Sequence, residues 1–216
     1  MEEPIHDSPI TIHLSTCRGG IDDPARRAQF EPMLPTTHRC MTAKEFSQLP
    51  EGPPYFQLIR GELFMSPSPR YRHQEIVGNI FSAIREYLRR NRVGKVVIAP
   101  SDVELSPDDV YEPDIYFVSK ERLGIFTEQG ASGAPDLVVE VLSPGTAKLD
   151  LGPKREVYAS VGVKEMWLVD ERRSKIDLYL LHGTELTLVR TVVAGDTIET
   201  PLIPGLSLDV REIFES

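Results

Sequence analysis

Apolar residues recur along the chain at two periods, and the switches between them mark out the elements. Between residues 71 and 92, Val77, Ile80, Phe81, Ile84 and Leu88 fall three and four apart, which lines one face of an α-helix. Gly94 is expected to end that helix, after basic residues suited to the negative end of its dipole. Strand patterns follow. Residues 96–99 run on towards 103–105, residues 114–118 alternate between Pro113 and Ser119, and residues 137–142 are almost unbroken hydrophobe. Such a run suits a strand covered on both faces. A second helix is expected over residues 154–160, closed by Gly162, and residues 165–169 form the next buried strand. Residues 176–181 and 186–193 read as a hairpin about Gly183. Upstream, residues 55–59 and 62–65 make another hairpin about Arg60-Gly61, after the capping-box pattern Thr42-Ala43-Lys44-Glu45 that opens a short helix. The tail, with Pro201 and Pro204, is expected to wrap the surface.

The order from Tyr71 is helix, three strands, helix, strand. Helices interleaved with buried strands favour a layered α/β core around a mixed sheet. Residues 1–40 show no sustained period and carry scattered prolines, so they are expected to be a poorly ordered arm on a single domain over residues 41–216.

Composition narrows the class. A hydrophobic content of 40% is enough to bury a core, and the longest apolar runs fall far short of a bilayer span. No apolar stretch with a basic flank opens the chain, so secretion has no support. Both cysteines, Cys17 and Cys40, lie in the irregular N-terminal part, and a reducing cytoplasm is the expected location. The net charge of −9 weighs against gripping nucleic acid by general electrostatics. A metal site nevertheless concentrates acid locally, and a basic face can coexist with an acidic remainder.

Two acids stand on strands that otherwise want to be apolar. Glu140 is embedded among branched aliphatics, where a carboxylate is expensive to bury without a partner. Asp114 follows Pro113 at the start of another strand. On neighbouring strands the two would converge at one sheet end, and hard oxygen ligands there suit Mg²⁺ or Mn²⁺. The plainer alternative is a salt-bridged Glu140 and an Asp114 that caps a turn. Lys154 follows Gly152-Pro153, so Pro153 fits the first helical turn and Lys154 sits at a helix N-terminus, pointing towards the sheet end of Glu140. A lysine beside two carboxylates can neutralise charge on a phosphoryl group, although any one helical lysine is more often exposed.

The pieces that carry a resemblance are Leu58-Ile59-Arg60-Gly61-Glu62-Leu63, Ser66-Pro67 with His73, and Glu112-Pro113-Asp114-Ile115. Pro135-Asp136-Leu137-Val138-Val139-Glu140-Val141-Leu142-Ser143-Pro144 follows, then Asp150 with Lys154 and Tyr158, and Gly162-Val163-Lys164-Glu165-Met166-Trp167-Leu168-Val169-Asp170. In that order they resemble the Uma-type restriction endonucleases of the PD-(D/E)XK nuclease superfamily, over roughly residues 41–181. The resemblance implies a restriction-endonuclease-like fold and a divalent-metal-dependent endonuclease that hydrolyses phosphodiester bonds of nucleic acid, DNA above RNA. Asp114 and Glu140 would hold the metal, the Val141 carbonyl would complete its shell, and Lys154 would supply the lysine function. His73 would act as proton shuttle or phosphate contact, or serve the structure alone. Two departures stand out. The usual lysine position, two residues after the second acid, holds Leu142, and a position that is often acidic holds Gln57, leaving Glu62 as the surviving acid.

The remaining candidates have plainer readings. Glu75 shares the uncertainty of His73, while Arg85, Arg89, Arg90 and Arg92 could touch phosphates or simply solvate a helix end. Trp167 reads as core, Asp170 as a strand end, and Ser143 lacks any nucleophile elbow. Cutting two strands would favour a homodimer. The competing function is a catalytically inactive nuclease-fold interaction module, supported by the acidic charge, Gln57 and the displaced lysine. A glycosidase using the same acids ranks lower, with aromatics at 7%.

Overall fold

The computed structural model describes residues 40–50, 52, 55–65, 68–143, 150 and 152–215. All but Cys40 of the expected N-terminal arm lies outside the described residues. Helix α1 (Ala43–Phe46) opens with the capping box: Thr42 accepts from the Glu45 amide, and the Glu45 carboxylate accepts from the Thr42 amide. The hairpin of β1 (Phe56–Ile59) and β2 (Glu62–Met65) turns at Arg60 and Gly61, both with positive φ, and a Cβ at Gly61 would lie 2.5 Å from the Cys40 Cβ.

Helix α2 (Tyr71–Arg90) buries Val77, Ile80, Ile84 and Leu88 of the expected stripe, while Phe81 is only half-buried and Ile76, outside that stripe, is fully buried. It ends at Asn91 rather than Gly94. Gly94 instead opens β3 (Gly94–Ile98), where a Cβ would stand 2.4 Å from the Phe117 ring. That glycine serves strand packing, not helix termination. Next come β4 (Asp102–Ser106), β5 (Asp109–Tyr111), β6 (Ile115–Ser119), a 3₁₀ turn (Lys120–Ile125) and β7 (Gly130–Ser132). Strands β5 and β7 span three residues each, too few to show a period, so the pattern missed them. Then follow β8 (Leu137–Val141), α3 (Pro153–Val161), β9 (Glu165–Asp170), and the hairpin of β10 (Lys175–His182) and β11 (Glu185–Val193). Short strands β12 (Thr197–Ile198) and β13 (Leu208–Asp209) lead to α4 (Val210–Phe214).

Six strands form a mixed sheet in the order β11-β10-β9-β8-β6-β3. Its one parallel pairing is β8 with β9, bridged by the crossover through α3. Side chains alternate between two cores. Ile115, Phe117, Val139, Trp167 and Val169 pack with α2, while Tyr116, Val118, Val138, Met166 and Leu168 pack with α3. Both faces are covered, which is why β8 reads as continuous hydrophobe. A second sheet, ordered β2-β1-β5-β4-β7, adds Ile59, Val103, Tyr111 and Ala131 to the α3 side.

The tail departs from expectation. Ile198, Ile203, Leu206, Leu208, Val210 and Ile213 are buried in the α2 core. Its prolines shape turns, and the apolar residues between them supply the packing. Buried Glu165 fastens this segment by accepting from Thr200 Oγ1 at 2.5 Å and from Trp167 Nε1 at 2.6 Å. Among the described residues no helix is long and apolar enough to cross a membrane.

Candidate active site

Strands β6 and β8 run antiparallel with Ile115 opposite Val139, so Asp114 and Glu140 occupy the next facing positions. Asp114 Oδ2 accepts from the Val141 amide at 2.7 Å and lies 3.3 Å from His73 Nε2, in the first turn of α2. Burial works against charge on His73, but the Asp114 carboxylate, Glu171 and the nearby Val141 carbonyl outweigh it and raise the imidazole above its ordinary value.

Glu140 is 3% exposed, and its Oε1 accepts from Lys154 Nζ at 2.9 Å and Tyr158 OH at 2.7 Å. Helix α3 presents both donors because its first turn starts at Pro153 and its end is fixed by Gly162 in the left-handed region. Lys154 is fully enclosed: Asp150 Oδ1 lies 3.2 Å away, an ion pair without hydrogen-bond alignment, and the Tyr111 ring is 5.8 Å off. Tyr111 meets Tyr158 edge to face at 5.3 Å and shuts the apolar side. Burial opposes charge on Lys154, yet Glu140 and Asp150 hold its ammonium well above its ordinary value. Glu140 is pushed up to about 7 by burial, against Lys154 and reinforced by Asp150 and Asp114. Glu112 is likewise pushed up to about 7, by burial and by Asp102, with Lys154 opposing and Asp114 adding. Acid therefore crowds one end of the sheet, around the buried Lys154 ammonium.

The donor set fits a hard divalent cation. Asp114 and Glu140 each have one oxygen engaged, leaving Asp114 Oδ1 and Glu140 Oε2 without hydrogen bonds among the described residues. No group of three His, Cys, Asp or Glu side chains among the described residues is arranged to hold a metal. Mg²⁺ is commonly held by one or two carboxylates with water in the remaining positions, so two carboxylates suffice.

Of the residues singled out by sequence, Asp114, Glu140, Val141, His73 and Lys154 come together. Glu62 does not join them: it pairs with Ile59 in the hairpin, and among the described residues no hydrogen bond or ion pair ties it to Asp114 or Glu140. Gln57 accepts from the Glu112 amide at 3.3 Å. Glu75 pairs with Arg72 at 2.8 Å, Arg90 with Glu86 at 2.7 Å, and Arg85 lies over Phe81. Trp167 is core, and Asp170 accepts from the amides of Arg172 and Arg173 in a turn. Asp150 and Tyr158 carry more than their place in a motif suggested. Part of the signal was present in the spacing, since Lys154 and Tyr158 stand four apart and so share one face of α3, while Asp150 lies ahead of that helix.

A layered α/β fold with two acids at facing strand positions and a lysine from the crossover helix defines a restriction-endonuclease-like domain. The chain belongs to the Uma2 family, described as "Putative restriction endonuclease", whose pattern it matches over residues 43–211. That membership supports a nuclease function. Among solved structures it is similar to the crystal structure of a putative nuclease belonging to DUF820 from Anabaena variabilis. The TM-score is 0.67 at 21% identity, covering 81% of this chain and 97% of that one, a likeness of fold. No curated protein matches the chain.

Proposed function

We propose that this chain is a divalent-metal-dependent endonuclease that hydrolyses phosphodiester bonds of DNA, with Mg²⁺ or Mn²⁺ held by Asp114, Glu140 and the Val141 carbonyl. The observation that supports it is the pair of facing carboxylates, each with one unengaged oxygen, beside a buried ammonium. When bound, the ion supplies a Lewis acid and lowers the pKa of a water. The chain's own groups do the rest. The Val141 amide and His73 fix Asp114, Tyr158 fixes Glu140, and Lys154 holds positive charge where a phosphoryl group gains negative charge. The reading extends to a cytoplasmic homodimer, whose two centres would address the two strands of a duplex.

The test uses plasmid DNA and structured RNA with Mg²⁺, Mn²⁺ or EDTA. Wild type should cut DNA with either metal and not in EDTA. Asp114→Ala should lose both Mn²⁺ binding and cleavage. Lys154→Ala should lose cleavage while keeping most of its Mn²⁺ binding, because lysine is not a ligand. Wild type that cuts neither DNA nor RNA would leave a catalytically inactive nuclease-fold interaction module as the better reading.

A further inference from the structure

The buried ion group has one more carboxylate than a lysine salt bridge requires. Lys154 would be neutralised by Glu140 alone, yet Asp150, 2% exposed, stands 3.2 Å from the same ammonium. Burying a second carboxylate is costly unless attraction and hydrogen bonds repay its desolvation, and Asp150 Oδ1 has the ammonium nearby but no hydrogen bond among the described residues. With Lys154 on Glu140 alone, the ammonium would sit against the same carboxylate whose Oε2 is left for a cation, and would repel that cation. With Asp150 present, the ammonium is shared between two acids.

We propose that Asp150 is a positioning residue: it draws the Lys154 ammonium off Glu140 as a cation arrives, keeping Glu140 available to the metal and Lys154 beside the reacting phosphate. This rests on the metal-dependent reading above. Charge count supports it. When ionised, Asp102, Glu112, Asp114, Glu140 and Asp150 outnumber the cationic Lys154 and His73, so the cluster is short of positive charge. Among the described residues Asp150 makes no hydrogen bond through Oδ1, so that oxygen can accept from Lys154 without giving up a partner. The chain geometry allows the transfer, because Asp150 and Lys154 are four residues apart while Glu140 approaches from the sheet.

The experiment measures Mn²⁺ affinity of the full chain by calorimetry for wild type, Asp150→Asn and Asp150→Glu, and cleavage of plasmid DNA at saturating Mn²⁺. Asp150→Asn should bind Mn²⁺ at least about tenfold more weakly, since a unit charge at short range has about that effect in water and a larger one in a buried site. At saturating Mn²⁺ its kcat should fall with KM for DNA unchanged, and Asp150→Glu should recover both quantities. A crystal of wild type with Mn²⁺ gives a readout independent of any variant's folding: Lys154 Nζ should sit within hydrogen-bond reach of Asp150 and farther from Glu140. Wild-type Mn²⁺ affinity and kcat in Asp150→Asn would overturn the proposal, as would a Mn²⁺ complex in which Lys154 stays on Glu140. Wild type that binds Mn²⁺ but cuts nothing defeats the nuclease reading alone, and the affinity ratio still decides Asp150. Wild type that binds no Mn²⁺ overturns both.

Discussion

Glu140 carries the sharpest conflict in the molecule, a carboxylate inside a strand that is otherwise entirely apolar and buried. Its proton affinity follows from that placement. Burial pushes it from an ordinary 4.5 up to about 7, and Lys154 only partly offsets the push. Between those values the folded protein holds a proton that the unfolded chain has released, so stability falls as pH rises from about 4.5 to about 7 and stays reduced above it. Glu112 acts in the same direction. Thermal melts of cation-free protein should therefore show a negative slope across that window, and Glu140→Gln should flatten it while leaving the part due to Glu112. An unchanged slope in Glu140→Gln would mean that Glu140 is charged throughout. The conflict itself was legible in the sequence, because an acid among branched aliphatics needs a buried partner, and the salt bridge to Lys154 supplies one. Its resolution was not: which donors meet Glu140 depends on how α3 docks, and only the four-residue spacing of Lys154 and Tyr158 hinted at it.

Among the elements, those with long periods or a specific cap or turn were read correctly, α1 and the β1–β2 hairpin included, and the short strands without either were not. Helix α2, strands β8 and β9 and the β10–β11 hairpin each bury a regular set of side chains, so their pattern is fixed by the core they face. Gly94 and the tail show why the rest escaped. A glycine after basic residues looks like a helix stop, but here it lets Phe117 of the neighbouring strand approach, a contact between residues far apart in sequence. Prolines suggested a surface tail, yet the segment closes the α2 core through Ile198, Ile203 and Leu206. The two readings of the tail give different numbers. Ile203 is fully buried, and Ile203→Ala should cost about 2–5 kcal/mol in chemical denaturation, as a large-to-small core change does. A surface tail would register about 0.5 kcal/mol or less. Gly94→Ala should also destabilise, by about 1–3 kcal/mol, because the added carbon has nowhere to go against the Phe117 ring. Wild-type stability in that variant would show that the Phe117 ring gives way to the added carbon at no cost.

At the scale of the whole molecule, a net charge of −9 looked like an argument against contact with nucleic acid. The fold changes its meaning, because Asp102, Glu112, Asp114, Glu140 and Asp150 interact across one end of the sheet with one buried lysine among them. Acid concentrated there repels itself, and the groups involved come from separate parts of the chain. His73 lies on α2, Asp114 precedes β6, Val141 ends β8 and Lys154 begins α3. A cation held by Asp114, Glu140 and the Val141 carbonyl would relieve that repulsion and tie β6 to β8 in the folded state alone. Binding of that kind stabilises by mass action, about 2.7 kcal/mol at a hundredfold excess over Kd. For a chain of this size each kcal/mol moves the midpoint by about 2–4 °C. Saturating Mn²⁺ at neutral pH should therefore raise the Tm of wild type by about 5–10 °C. The rise should be absent in Asp114→Ala and should shrink towards pH 5, where protons compete for Glu140. Equal shifts in wild type and Asp114→Ala would place the cation elsewhere, and no shift in wild type would show that the crowded acids are balanced without one.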